Sequence, residues 1–251
     1  MKNYNKVLDP ADFQEWGITK RKQWEVQMAF NCLHDHKVLK PSAEILGVGA
    51  GQESTIFMLS NEVRRVFATD LYLTPGMWSQ HAPLDMMIDP SKCAKNIPHN
   101  PRRIVPQHAD MLDLPYEDDT FDGAFSSGSI EHVGSYEKVA QAIQEIARVV
   151  KPGGVISLST EWKLSGLGSG WDPNVLLFDP ETLLQYIVEP SGCEYEGISS
   201  PAILDVEPYP FIEIVQGRRP EVEMVLEHEG YVFTSVHIVL IKPKKARRKT
   251  A

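Results

Sequence analysis

The sequence predicts an α/β fold, a doubly wound and mostly parallel sheet with helices on both faces. Three observations predict it. Glu44-Ile-Leu-Gly-Val-Gly-Ala-Gly51 runs from an apolar strand into a Gly-x-Gly-x-Gly turn. Arg65-Val-Phe-Ala-Thr-Asp70 follows as a second short strand that ends in a carboxylate, 19 residues past Gly51. Phe121-Asp-Gly-Ala-Phe-Ser-Ser127 and Val155-Ile-Ser-Leu-Ser159 read as two more buried strands, joined by a helical stretch that leads into Lys151-Pro-Gly-Gly154. Strands that alternate with helices in this way build a parallel sheet by crossovers.

Taken in order, Trp24, Met28 and Cys32 recur at helical spacing behind Asp9-Pro-Ala-Asp12, which predicts an N-terminal helical cap within residues 1–40. Gly47, Gly49 and Gly51 permit positive φ and remove the Cβ atoms that would keep a ligand from the backbone. From Gln52 onward the chain reads as helical, with its partly positive N-terminus aimed at the turn, so a nucleoside-type ligand is expected there. Gln52 holds the sixth position of Gly-x-Gly-x-x-Gly, where a dinucleotide site wants glycine or alanine, and this argues against a pyrophosphate.

Residues 71–103 are longer than a helix crossover needs. They carry Trp78, His81, Met86, Met87 and five prolines, and predict a substrate-side lid, although Met and Trp serve plain packing equally well. Residues 163–229 form a second substrate-side insertion. In it Gly166-Leu-Gly-Ser-Gly170-Trp171 reads as a loose connection, and Asp179-Pro-Glu181 caps a helix through about Val188. Tyr231 to Ile241 alternates and is β-branched, a final strand that closes a single domain at residue 241. The tail, residues 242–251, carries six Lys or Arg and no acid.

With His108-Ala-Asp-Met-Leu-Asp-Leu-Pro115 added, these motifs resemble the class I S-adenosylmethionine-dependent methyltransferases over about residues 40–162, and most closely their small-molecule, methyltransferase type 11-like branch. The resemblance implies a Rossmann-like sheet of seven strands with the last antiparallel, S-adenosyl-L-methionine as cofactor and S-adenosyl-L-homocysteine as product. It implies that Gly47, Gly49 and Gly51 line the methionine part and that Asp70 takes the ribose diol. Leu71 then packs on the adenine, Asp110 accepts from the adenine amino group, and Met111 lies beside the ring. Glu44 matches a common acid at the head of the first strand, and Ser126 and Ser127 fall where substrate and methyl group meet.

Candidate catalytic residues lie just beyond, in Gly128-Ser-Ile-Glu-His-Val-Gly134. For a hydroxyl acceptor His132 suits the role of general base and Glu131 that of an orienting or acceptor-binding carboxylate. On a helix two adjacent residues diverge by about 100°, so one of them can point away from the site. The expected reaction is methylation of a hydroxyl on a polar, sugar-like or natural-product acceptor. The same loop resembles that of the cyclopropane-fatty-acid-synthase-like enzymes, which raises a lipid acceptor as an alternative. A nicotinamide-dependent oxidoreductase is disfavoured by Gln52, Asp110 and Lys151-Pro-Gly-Gly154. A non-catalytic cofactor-binding scaffold stays open. The Asn/Asp-Pro-Pro-Tyr-type signature of many protein and DNA amino-methylases is absent, with Ser126-Ser-Gly-Ser129 in its place.

At 251 residues and 42% hydrophobic content the chain can bury one sizeable core. With no run of 18 apolar residues and a polar start, a cytoplasmic enzyme without a membrane span is expected. Cys32, Cys93 and Cys193 are odd in number and widely spaced, and read as reduced structural thiols. His34, His36 and His81 lack zinc-site spacing, so no metal is expected. Residues 1–241 carry 19 basic against 34 acidic side chains, a poor surface for a polyanion, so the partner expected is a small molecule rather than nucleic acid. A homo-oligomer is left open by the sequence, and the tail reads as a solvated terminus with an electrostatic role as its alternative.

Overall fold

A nine-stranded sheet runs through the centre of the computed structural model, which describes residues 20–76, 79–168, 170–171, 175–201, 207–211 and 224–244. Helix α1 (Lys20–Asp35) forms because Val26, Ala29, Phe30 and Leu33 recur at i, i+3, i+4 and i+7 and bury one face. That row displaces the expected one. Trp24 and Met28 are only half buried, because the helix turns its more continuous apolar stripe onto the sheet. The expected start at Asp9 and Asp12 lies outside the described residues.

The chain then alternates as expected through β1 (Glu44–Val48), α2 (Ser54–Leu59), β2 (Arg65–Asp70), α3 (Asp85–Ile88), β3 (Ile104–His108), β4 (Phe121–Ser127), α4 (Tyr136–Val149) and β5 (Val150–Ser165). Helix α4 is capped by Ser135, whose hydroxyl accepts from the Lys138 amide, and it buries Val139, Ile143 and Ile146. Strands β6 (Gly170–Trp171) and β7 (Val175–Leu176) pair with each other apart from the main sheet. Next comes α5 (Pro180–Leu183), opened by a reciprocal capping box between Asp179 and Thr182 at the place the sequence marks, and carried on by a wider turn over Leu184–Val188 to α6 (Glu189–Ser191). The chain closes with β8 (Glu194–Ser199), β9 (Tyr209–Pro210), β10 (Leu226–His228) and β11 (Tyr231–Ile241).

Strand order is β3-β2-β1-β4-β5-β11, with the first five parallel and β11 antiparallel to β5. Seven strands were expected, and among the described residues nine form the main sheet. The reason is length: β11 outruns its edge partner β8, which pairs only with His237–Ile241. The open first part of β11 takes β10 as a hairpin partner, turned tightly through Glu229 and Gly230, both at positive φ, and β9 adds to β10. Strand β8 also corrects the reading of residues 163–229 as wholly substrate-side, since residues 194–199 belong to the main sheet.

Two cores cover the two faces. One joins α1 and α2 to Met86, Cys93, Ala94 and Ile97; the other joins α4 to Phe178, Leu183 and Ile187. Met86 is fully buried, so the stretch expected as a lid is anchored in the core beyond its first part; Trp78 lies outside the described residues. The tail begins pinned, with Lys242 paired to Asp119 at 2.8 Å.

Candidate functional site

Parallel strands place their carboxyl ends together, and the residues of interest collect at the ends of β1, β2, β4 and β5. After β1 the chain turns through Gly49 and Gly51, at φ of +57° and +48°, a region that L side chains rarely adopt. The carboxylate of Asp70, at the end of β2, accepts from the Gly51 amide at 2.8 Å and from the Leu71 amide at 2.7 Å. Each oxygen keeps spare lone pairs, which suits two neighbouring hydroxyl donors. Burial raises the Asp70 carboxyl against the two amides, which pull it down. Tyr72 donates its hydroxyl to the Gly51 carbonyl at 2.6 Å, fixing the turn from the other side.

Gly47 is set back from the turn. It lies in β1, and a Cβ there would fall 2.7 Å from the Phe125 ring, so its glycine serves the packing of β1 on β4. Glu44 is likewise displaced. It starts β1, about 13 Å from the strand's carboxyl end, and lies 3.6 Å from Arg64 and 3.9 Å from Arg65. A strand has two ends, and only one faces the site.

Met111 and Ser129 close on the turn. A Cβ on Gly49 would meet the Met111 methyl at 2.8 Å, and Ser129 donates to the Gly49 carbonyl at 2.6 Å. Asp110 stands exposed and accepts from the Leu112 amide at 2.9 Å, a local turn that leaves its second oxygen outward. Leu71 is exposed, an apolar surface beside Asp70. The Gln52 amide donates to the His81 carbonyl at 3.0 Å and the Gln52 side chain to the Gln80 carbonyl at 2.9 Å, so residues 80–81 lean on the glycine turn and α2 starts only at Ser54. Ser126 and Ser127 end β4, and their hydroxyls are buried without a hydrogen-bond partner among the described residues. Successive strand residues face opposite sides, so the two serines look into different layers.

Glu131 and His132 sit on a single 3-10 turn, Ile130–His132, rather than on a regular helix. Glu131 is fully buried. One of its oxygens accepts from the Thr160 hydroxyl at 2.9 Å; the other, Oε1, has no hydrogen bond among the described residues and lies 3.8 Å from His132 Nε2. Burial, helped by the nearby charge of Glu161, pushes the Glu131 carboxyl up to about 8.

Six further side chains, those of Lys22, Glu25, Glu53, Arg21, Glu161 and Ser235, escaped the sequence. Lys22, on the first turn of α1, donates to Glu25 at 2.7 Å, to Glu53 at 3.2 Å and to the Ser127 carbonyl at 3.2 Å. Arg21 donates to both oxygens of Glu161, at 2.8 and 2.9 Å, and to Ser235 at 2.9 Å. Burial works against the Lys22 ammonium, but Glu25 and Glu53 outweigh it and hold its proton tightly. Burial pushes Glu53 up to about 7 despite Lys22. In sequence, Lys20-Arg-Lys22 reads as an ordinary solvated helix start. The available signals were Glu53, two residues after the glycine turn, and Thr160-Glu161, polar residues that end the buried run of β5.

Residues 46–158 match the family model described as a methyltransferase domain. A sterol methyltransferase-like protein of Botryococcus braunii is 45% identical over 165 residues, 59% of this chain and 37% of that protein. The demethylmenaquinone methyltransferase of Desulfitobacterium hafniense is 33% identical over 90 residues, 35% of this chain and 34% of that enzyme. The chain thus spans little more than a third of the length of these curated relatives. Among solved structures, the Haemonchus contortus phosphoethanolamine N-methyltransferase 2 in complex with S-adenosyl-L-methionine superposes with a TM-score of 0.58 at 15% identity, covering 97% of this chain and 61% of that one. At that identity the likeness speaks for the fold.

Proposed function

We propose that residues 46–158, which match a methyltransferase-domain model, act as a class I S-adenosylmethionine-dependent methyltransferase, and that the protein methylates a hydroxyl of a small polar molecule. The observation that carries this reading is the tie between Asp70 and the Gly51 amide, which sets a carboxylate with spare lone pairs beside the glycine turn. The bound cofactor supplies an electrophilic methyl group on a sulfonium whose leaving group is already good.

The chain's own residues then have three tasks. Asp70 holds the two ribose hydroxyls, Leu71 and Met111 bracket the adenine, and the outward oxygen of Asp110 accepts from its amino group. Ser126 and Ser127 end β4 where acceptor and methyl group are aligned, with the unspent hydroxyl of one of the two facing them, and alignment is most of what this displacement asks of a protein. His132 takes the acceptor's proton from oxygen as the new bond forms, and Glu131 holds the acceptor or orients the imidazole.

Among the described residues no helix is long and apolar enough to cross a membrane. A lipid acceptor is the second reading, favoured by the sterol methyltransferase-like relative. Incubation with methyl-labelled S-adenosylmethionine and mixed polar and lipid acceptors tests both: label in the aqueous hydroxylated pool supports the first, label in the lipid phase the second. A protein that binds cofactor but labels neither is a scaffold.

A further inference from the structure

We propose that the acceptor carries an ammonium group and that this group seats beside Gly128, between Glu131 and Glu53. The proposal rests on the methyltransferase reading and narrows its substrate to an amine-bearing small molecule.

Gly128 follows β4 at φ +65°, and the space where a Cβ would stand is ringed by charge, with Lys22 Nζ at 3.2 Å, Glu131 Oε1 at 3.4 Å and Glu25 Oε2 at 3.9 Å. Around it are four carboxylates, of Glu25, Glu53, Glu131 and Glu161, and two cations, of Arg21 and Lys22. The cations are occupied. Lys22 has three N–H donors and makes three bonds, while Arg21 is spread over Glu161, Glu25 and Ser235.

What is left over is acceptor capacity. Glu131 Oε1, on a fully buried side chain, and Glu53 Oε2 are both buried without a hydrogen bond among the described residues. His132 Nε2, at 3.8 Å from Glu131 Oε1, is beyond hydrogen-bond reach. A buried carboxylate oxygen without a donor is costly to leave in that state, so a group that enters should bring N–H or O–H protons. Charge selects among them, because Lys22 and Arg21 are already paired and any ionisation of Glu131 and Glu53 leaves a negative excess for the incoming group to offset. An anion would add to the repulsion, and a neutral hydroxyl would bring one proton and no charge. An ammonium brings up to three donors and one positive charge, which matches the two unpaired carboxyl oxygens in number and in sign. The raised positions of both carboxyls agree with a site lacking its cation, since a bound ammonium would draw them back down.

Ethanolamine and ethylene glycol differ at one end by ammonium against hydroxyl, and titrating each into the protein with and without bound S-adenosylhomocysteine tests the proposal. Ethanolamine should bind at least tenfold more tightly. Its binding should also release protons, seen by repeating the titration in buffers of different ionisation enthalpy. Glu131→Gln and Glu53→Gln should each shrink the preference to below threefold, with S-adenosylhomocysteine affinity held within twofold as the sign of an intact fold. Equal binding of the two probes, no binding of ethanolamine, or a preference that survives both substitutions overturns the proposal. So does a loss in both variants of any preference for S-adenosylmethionine over its product without change toward ethanolamine, which would assign the two carboxylates to the sulfonium. Failure of the wild type to bind either cofactor form would sink the methyltransferase reading instead, and the cofactor-free arm would still decide the ammonium site.

Discussion

Asp70 and Gly51 are joined by a 2.8 Å hydrogen bond from the glycine amide to the carboxylate, so the turn after β1 and the end of β2 act as one rigid unit. Removing the carboxylate should therefore have two effects. Asp70→Ala loses charge-assisted bonds worth about 1.5–3 kcal/mol each and frees the turn, so affinity for S-adenosylmethionine should fall tenfold or more. Equilibrium dialysis of the folded variant checks this, and unchanged affinity would remove Asp70 from the site.

Gly51→Ala should be severely destabilising. The new Cβ would run into the His81 carbonyl oxygen, a backbone atom that cannot swing aside, and φ is +48°. The left-handed backbone alone costs about 1–2 kcal/mol for a residue with a Cβ, and the contact adds to it. Urea unfolding should show a loss of at least about 2 kcal/mol. A near-neutral result would mean that residues 80–81 do not lean on the turn in solution.

His132→Asn separates chemistry from binding. Turnover should fall at least about a hundredfold, the usual scale for a lost general base, while affinity for S-adenosylhomocysteine changes little. Equal turnover would leave His132 structural and the acceptor without need of a base.

The buried carboxyls give stability a distinctive pH dependence. Glu131 at about 8 and Glu53 at about 7 in the folded protein, against 4.5 ordinarily, bind protons more tightly folded than unfolded. Their contribution is full below about pH 4.5 and is lost as pH climbs through 7 and 8. Glu161, also raised, acts in the same sense; Glu25, held down by Lys22 and Arg21 against its burial, acts oppositely and loses its contribution on acidification. Glu131→Gln carries no charge at any pH. Its stability relative to wild type should rise between about pH 5 and about pH 9, as followed by thermal unfolding, and a constant difference would show that Glu131 stays charged in the folded protein.

The glycine turn, Asp70, the capped helix after Asp179 and the last strand were legible because each is written in a few consecutive residues. Strand β8 was not. Its Glu194-Tyr-Glu-Gly-Ile-Ser199 is mostly exposed and joins the sheet through backbone pairing with β11, which leaves no apolar alternation to read. The charged ring was hidden for a different reason. Arg21 meets Glu161 across 140 positions of sequence and Lys22 meets Ser127 across 105, so only the folded sheet brings them together. Glu44 shows the converse error: a motif position was clear, but the strand's direction sends it to the far end of the sheet.

Calorimetric titration with S-adenosylmethionine, S-adenosylhomocysteine and NAD in parallel tests the central claim most directly. The two adenosyl compounds should bind in the micromolar range and NAD should give no heat above dilution. Binding of NAD alone would contradict the methyltransferase reading at its root.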